Sequence, residues 1–254
     1  MQNRIHIFNC PIDTYTMEET VSKIDESIQS KTHLHHVVVN AAKLVHMQSD
    51  KELHKSVVSC DIINPDGQAV VWASRFLGQP LKERVTGIDL MQNLVKLASE
   101  KGYKVFFFGA KEEVVKGVVD KYTGIYGGDI IAGYRNGYFK KEEEESIAKQ
   151  IADSKADILF VAISSPTKEI FLNTYKDIID TPFIMGVGGS FDVVAGKVSR
   201  APVWMQNAGL EWFYRFLQEP RRMRKRALVT NSLFIYYMFK EKFLLISPFL
   251  KHHD

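Results

Sequence analysis

Residues 60–87 read CDIINPDGQAVVWASRFLGQPLKERVTG, and this stretch sets out a strand, a corner and a helix in order. Ile62 and Ile63 are β-branched and apolar, as the end of a buried strand should be. Asn64-Pro65-Asp66-Gly67 stops that strand, because Pro65 has no N–H to give a central ladder and Gly67 permits angles that other residues avoid. Ala69-Val70-Val71-Trp72-Ala73 with Phe76-Leu77 then has helical spacing. Asp66 is thereby predicted at a strand-to-helix corner, where open α/β sheets hold their ligands. Local sequence alone reads Asp66 equally well as the cap of the helix that follows.

The same unit recurs on both sides of this stretch. Val37-Val38-Val39 ends at Asn40 and leads into a helix over 41–47. Lys104 to Ala110 is an apolar strand closing on Gly109, a corner whose backbone N–H groups at a helix start suit a phosphate. Asp157 to Ile163 turns at Ser164-Ser165-Pro166, and Pro182 to Gly186 runs into a glycine cluster ending at Asp192. Ile130 to Phe139 reads as a strand and a glycine-punctuated loop, and Lys140 to Glu145 as a solvated helix start. Strand and helix alternating in this way predict an α/β fold, a Rossmann-like, largely parallel sheet with helices on both faces. Its corners gather Asn40, Asp66, Thr86, Gly109, Ser164 and Gly188 on one edge; Thr86 and Asp89 read either as caps of the helix over 87–100 or as ligand contacts. Toward the N-terminus, 5–8 is a short strand ending at Cys10-Pro11, and Thr16 with Glu19 is a capping-box signature. Residues 31–36 read as a polar connection. Its histidines, His33, His35 and His36, have no Cys, Asp or Glu beside them to complete a metal site.

The chain has 254 residues, 45% hydrophobic and 25% charged, an ordinary soluble composition with enough length for a large core. Cys10 and Cys60 form no paired-thiol motif and fit a reducing compartment. The N-terminus is too polar for a secretory signal, and no window holds the ~18 apolar residues of a membrane span, so a cytoplasmic protein is expected. The net charge of +3 is concentrated: residues 215–226 hold Arg215, Arg221, Arg222, Arg224, Lys225 and Arg226 against Glu219, leaving the remainder at −2. A partner for that segment should be anionic.

From Ala201 the pattern changes. We divide the chain into an α/β core over 1–200 and a helical appendage over 201–254, in which aromatic residues flank the basic cluster. Such a segment suits the surface of an anionic membrane, although a terminal helix packed on the core, or a contact between copies of the chain, would share its composition.

Three segments, NPDGQAVVWASRFLGQPLKERVTGIDLM, FFFGAKEEV and GVGGSFDVVAGKVSRAPVWMQNAGLEWFYRFLQEPRRMRKRAL, resemble the WecG/TagA/CpsF family of bacterial glycosyltransferases, in order and over nearly the whole chain. The resemblance implies transfer of a sugar from a UDP-sugar to an undecaprenyl-diphosphate-linked sugar. That transfer would invert the anomeric carbon, use neither catalytic metal nor cofactor, and serve teichoic acid, capsule or exopolysaccharide synthesis. By the same resemblance Asp66 is the general base, and Arg215, Arg222 and Lys225 or Arg226 neutralise the departing diphosphate. Gly186, Gly188 and Asp192 hold the nucleotide, and Tyr138 stacks on uracil or merely packs. The implied location is peripheral, on the inner face of the cell membrane, with no nucleic acid partner and homo-oligomerisation left open.

Two positions depart from the family pattern. Val38 stands where many members have Thr, and Lys168 stands where many have Gln. Lys168 suits a donor bearing a carboxylate, so a uronic acid stands beside N-acetylmannosamine as donor sugar. Two other classes compete: a non-catalytic nucleotide-sugar or polyanion-binding module, whose binding would fall steeply with salt, and a membrane-associated scaffold.

Overall fold

In the computed structural model, which describes residues 4–218, 220 and 226–246, six parallel strands form one sheet. Strands β1 (Arg4–Ile7) and β2 (Cys10–Asp13) make a separate antiparallel hairpin. The sheet holds β3 (Leu34–Val39), β4 (Ile62–Pro65), β5 (Val105–Gly109), β6 (Ile131–Arg135), β7 (Ile158–Ala162) and β8 (Phe183–Gly186), in the order β4-β3-β8-β7-β5-β6. Between and after them run α1 (Met17–Ser30), α2 (Ala41–His46), α3 (Lys51–Val58), α4 (Gln68–Phe76), α5 (Gly87–Lys101) and α6 (Glu112–Tyr126). The series continues with α7 (Glu144–Asp153), α8 (Thr167–Ile179), α9 (Ser190–Val194), α10 (Val203–Asn207), α11 (Glu211–Gln218) and α12 (Asn231–Ile246).

The apolar runs read from the sequence are strands buried on both faces, and their side chains alternate between two cores. Phe107 and Phe160 pack with Leu90, Leu94, Val115 and Phe191 under α5, α6 and α9. Their neighbours Phe106, Phe108, Leu159 and Val161 point the other way, onto Ile147 and Phe171 of α7 and α8. Val38 belongs to the first core and Val37 and Val39 to a third cluster, with Leu44, Leu53 and Phe234. Thr16 makes the capping box with Glu19.

Two local expectations are corrected, and one helix is added. The N-terminal strand does not end at Cys10-Pro11: Phe8 and Asn9, at φ of 53° and 61°, turn the chain back into β2. Asp13 then accepts from Arg4 Nε at 2.7 Å and from the Ile63 amide at 2.7 Å, which ties the hairpin to β4. Residues 34–36 are strand rather than a polar connection, so His35 and His36 are buried. His36 Nε2 meets Asn64 Oδ1 at 2.8 Å, and burial lowers the pKa of His36 to about 4. Burial, with the neighbouring His33 and His36, lowers that of His35 to about 3. Helix α3, capped by Asp50 accepting from the Leu53 amide, had no counterpart in the sequence reading.

Candidate active site

Because every strand of the sheet runs the same way, the carboxyl ends of β3, β4, β5, β7 and β8 share one rim. Asp66 leaves β4 there, its amide donating to Val39 O at 2.7 Å. It does not cap α4. The N-cap is Gly67, at φ 132°, without a side-chain cap bond, and among the described residues the Asp66 carboxylate makes no hydrogen bond. Charges surround it instead. Burial and the nearby Glu211 raise its pKa above the ordinary carboxylate range, while Arg84, Lys43 and Arg215 pull it back. A carboxylate held this way, with its lone pairs uncommitted, is fit to accept a proton.

Beside it lies a buried chain of charge. Lys43 Nζ is 2.7 Å from Glu169 Oε1, and Lys168 Nζ is 3.4 Å from the same oxygen. Burial would raise Glu169, but the two lysines overturn that and bring it to about 2. Burial and the charge of Lys43 lower Lys168 to about 8, against the pull of Glu169 and Asp66. The Lys168 side chain occupies the space that Gly186 leaves open: a Cβ there would come within 2.6 Å of Lys168 Cδ. Gly188, at φ 53°, follows, and a Cβ on it would lie 3.9 Å from Lys168 Nζ.

Helix α11 brings Arg215 to this corner. A Cβ on Gly189 would lie 3.8 Å from Arg215 Nη2 and 3.9 Å from Asp192 Oδ2. At the start of the same helix Glu211 receives Arg84 Nη1 at 3.2 Å and Arg200 Nε at 3.4 Å. The rim thus gathers an acid, a glycine-lined corner and cations from five separate segments, an arrangement fit to bind a diphosphate and deprotonate an alcohol.

The family model described as "Glycosyl transferase WecG/TagA/CpsF family" matches residues 5–247. The chain belongs to this family. It is 39% identical over 176 residues to an N-acetylglucosaminyldiphosphoundecaprenol N-acetyl-beta-D-mannosaminyltransferase of Bacillus subtilis (strain 168), covering 69% of this chain and 68% of the relative. A protein of the same name from Bacillus spizizenii (strain ATCC 23059 / NRRL B-14472 / W23) is 40% identical over 167 residues, covering 66% of this chain and 64% of that one.

The remaining residues singled out from the sequence of this WecG/TagA/CpsF-family chain are placed as follows. Asn40 caps α2, accepting from the Lys43 amide at 3.0 Å, and its Cβ is 3.7 Å from where a Cβ on Gly67 would stand. Thr86 caps α5, and its hydroxyl donates to Asp89 Oδ2 at 2.5 Å. Arg200 takes both Asp89 oxygens, at 2.5 and 2.8 Å. Burial would raise Asp89, yet the Arg200 and Thr86 hydrogen bonds leave it below the usual carboxylate range. Gly109 ends β5 pressed on Ala162, and Tyr138 is exposed one loop away, its amide held by Asn136 Oδ1. Arg222 and Lys225 lie outside the described residues, as does most of the basic run. Lys43, Arg84, Glu169, Arg200 and Glu211 were not singled out from the sequence. Only Glu211 carried a signal there, standing four residues before Arg215 and so on the same helical face. Among the described residues, no group of three or more His, Cys, Asp or Glu side chains is placed to hold a metal ion. A groove of about 580 Å³ between α1 and α5, lined by Met17, Val21, Asn93 and Leu97, includes none of the rim residues.

Proposed function

We propose that the protein is an inverting, metal-independent glycosyltransferase that moves a sugar from a UDP-sugar to an undecaprenyl-diphosphate-linked sugar during synthesis of a cell-surface polysaccharide or teichoic acid. The observation that carries this is the joint placement of Asp66, with its raised pKa, and Arg215 at the Gly189 corner. The acceptor hydroxyl oxygen bonds to the anomeric carbon from the face opposite the diphosphate, and its proton passes to the Asp66 carboxylate. The bond from that carbon to the diphosphate oxygen breaks, and UDP leaves with the electron pair. Arg215 and Lys168 offer positive charge to that leaving group, joined on this reading by Arg222 and Lys225. Gly186, Gly188 and Asp192 form the nucleotide corner, and Asn40, Gly109 and Tyr138 complete the substrate surface. Residues 1–200 act as the catalytic core and 201–254 as its appendage.

The names of both relatives support an N-acetylmannosamine-type donor and an N-acetylglucosamine acceptor. A uronic acid donor is supported by one feature, the buried Lys168 ammonium against the glycine corner. Peripheral seating on the inner face of the membrane is supported by α12. One face of it docks on the hairpin, through Phe234 on Phe8 and through Glu241 on the Phe8 amide at 2.7 Å, while Ile235, Tyr236, Phe243 and Ile246 stay exposed. No helix among the described residues is long and apolar enough to cross a membrane.

The test is mass spectrometry of reactions pairing a panel of UDP-sugars with a lipid-diphosphate acceptor on anionic vesicles. Asp66→Asn should retain UDP binding and lose transfer by about 10²–10⁴-fold. Transfer that survives in Asp66→Asn would overturn the reading. Preference for a neutral sugar in wild type and Lys168→Gln alike would remove the uronic acid.

A further inference from the structure

Helix α11 buries none of its residues: Trp212, Phe213 and Leu217 are exposed, so apolar burial is not what seats it. It is reached through Gly209, whose missing side chain admits Gln68 and Trp72 of α4. At its far end Gln218 Nε2 donates to Ser199 O at 3.1 Å. At its first residue stands Glu211, with one carboxylate oxygen on Arg84 Nη1 at 3.2 Å and the other on Arg200 Nε at 3.4 Å. Arg200 in turn grips Asp89 with two further nitrogens at 2.5 and 2.8 Å, and Asp89 accepts from Thr86 on α5. One chain of contacts therefore runs from the core helix α5, through Asp89 and Arg200, to Glu211 in the first turn of α11, and Arg84 joins Glu211 from the loop before α5. One turn later on the same face is Arg215.

We propose that Glu211 is a positioning residue: through Arg84, and through Arg200 on Asp89, it fixes α11 so that the Arg215 guanidinium stands over the Gly186–Gly189 corner. This rests on the transferase reading, in which that corner is where the diphosphate departs. Asp89 and Thr86 then serve as the anchor of the strut, since both Asp89 oxygens are already engaged by Arg200. The ion pairs are partly solvated, with side chains 16–24% exposed at the Arg84, Glu211 and Arg200 links. A helix held by such contacts, with Gln218 on Ser199 at its far end and no buried apolar residue of its own, has its first turn fixed by one carboxylate.

The test is a mutant cycle in the full-length chain with Glu211→Gln, Arg215→Ala and the double variant, taking kcat from the pH-independent plateau. Glu211→Gln should lower kcat about 10–100-fold, the scale of a small misplacement of a catalytic group, with acceptor KM and melting temperature nearly unchanged. The double variant should be no slower than Arg215→Ala, because on the pH-independent plateau, where the effect of Glu211 on Asp66 titration drops out, Glu211 acts through that arginine. Hydrogen exchange of the 211–218 amides should quicken in Glu211→Gln, a readout that needs no activity. An unchanged kcat, single-variant losses that multiply in the double variant, or unchanged exchange would each overturn the inference. An Asp66→Asn control separates the two claims: if it transfers as well as wild type the transferase reading fails, and if it is inactive while the losses multiply only the role of Glu211 fails.

Discussion

The carboxylate of Glu169 serves two ammonium groups, and its removal is the sharpest perturbation available at the rim. Lys43 Nζ at 2.7 Å and Lys168 Nζ at 3.4 Å share one oxygen, and the three side chains are 9%, 7% and 3% exposed for Lys43, Lys168 and Glu169. Glu169→Gln keeps the shape and leaves two buried like charges facing each other. Breaking a buried pair in this way costs about 3–5 kcal/mol. In a chain of this length each kcal/mol lowers the melting temperature by about 2–4 °C, so a fall of roughly 10 °C is expected. The loss should depend on pH with a definite sign. In wild type Lys168 titrates at about 8, below the ordinary lysine value. Without Glu169 it titrates lower still, so between that lower pKa and 8 the unfolded variant binds more protons than the folded one. Stability of the variant then rises with pH across that window while that of wild type does not. The gap between the two proteins should therefore be widest near pH 6 and narrower at pH 8.5. Calorimetric melts of both proteins at the two pH values decide it. A variant that melts within a few degrees of wild type at pH 6, or a gap that widens toward pH 8.5, would refute the reasoning.

Two further outcomes follow from the fold. Gly109→Ala puts a Cβ 2.5 Å from the Ala162 carbonyl carbon at a residue with φ of 125°, and should cost about 3 kcal/mol or more; a soluble variant melting close to wild type would count against it. His35 and His36, at about 3 and 4, are neutral in the folded protein while the unfolded chain takes up protons near 6.5. Stability from these groups is complete above 6.5 and is lost as pH falls toward 4, by about 2 kcal/mol for each histidine at pH 5. Urea unfolding at pH 7.5 and 5 measures the loss, and assigned imidazole resonances of His35 and His36 titrating near 6.5 in the folded protein would rule it out.

The sheet was legible because a parallel strand buried on both faces writes itself as a continuous apolar run, as at 37–39, 105–108 and 158–162. The same rule hid the first half of β3. His35 and His36 read as solvated because nothing local marks their burial: the partner of the His36 ring, Asn64, lies far along the chain, and burial is what keeps both rings neutral. The hairpin was hidden for a related reason. Cys10-Pro11-Ile12-Asp13 carries a proline and an acid, and its antiparallel pairing with β1, tied down by the Arg4 and Ile63 contacts of Asp13, makes a strand of it. Helix α3, KELHKSVV, buries only Leu53, Ser56 and Val57, too thin an apolar stripe to stand out. The Asp66 corner was legible because its ingredients are local, and the cap reading of Asp66 falls only when Gly67 is seen to take the cap position.

The charges around Asp66 were not legible, since their partners are remote in sequence: Lys43 and Glu169 are 126 residues apart, Arg84 and Glu211 are 127 apart, and Arg200 and Asp89 are 111 apart. Their pairing has a consequence that no single segment displays. Asp66, Asp89, Glu169, Asp192 and Glu211 stand among Lys43, Arg84, Lys168, Arg200 and Arg215, so the described rim is close to neutral in itself. On the transferase reading a diphosphate brings additional negative charge to a rim with little positive charge to spare. The sequence keeps five more cations in 221–226, next to the helix whose Arg215 already reaches the glycine corner. Neutrality before substrate arrives also favours stability, because an uncompensated cluster of buried lysines would strain the fold at the place where the sheet must stay rigid. On that same reading the paired charges of the rim hold the fold, and the further positive charge a diphosphate needs comes largely from the 221–226 run.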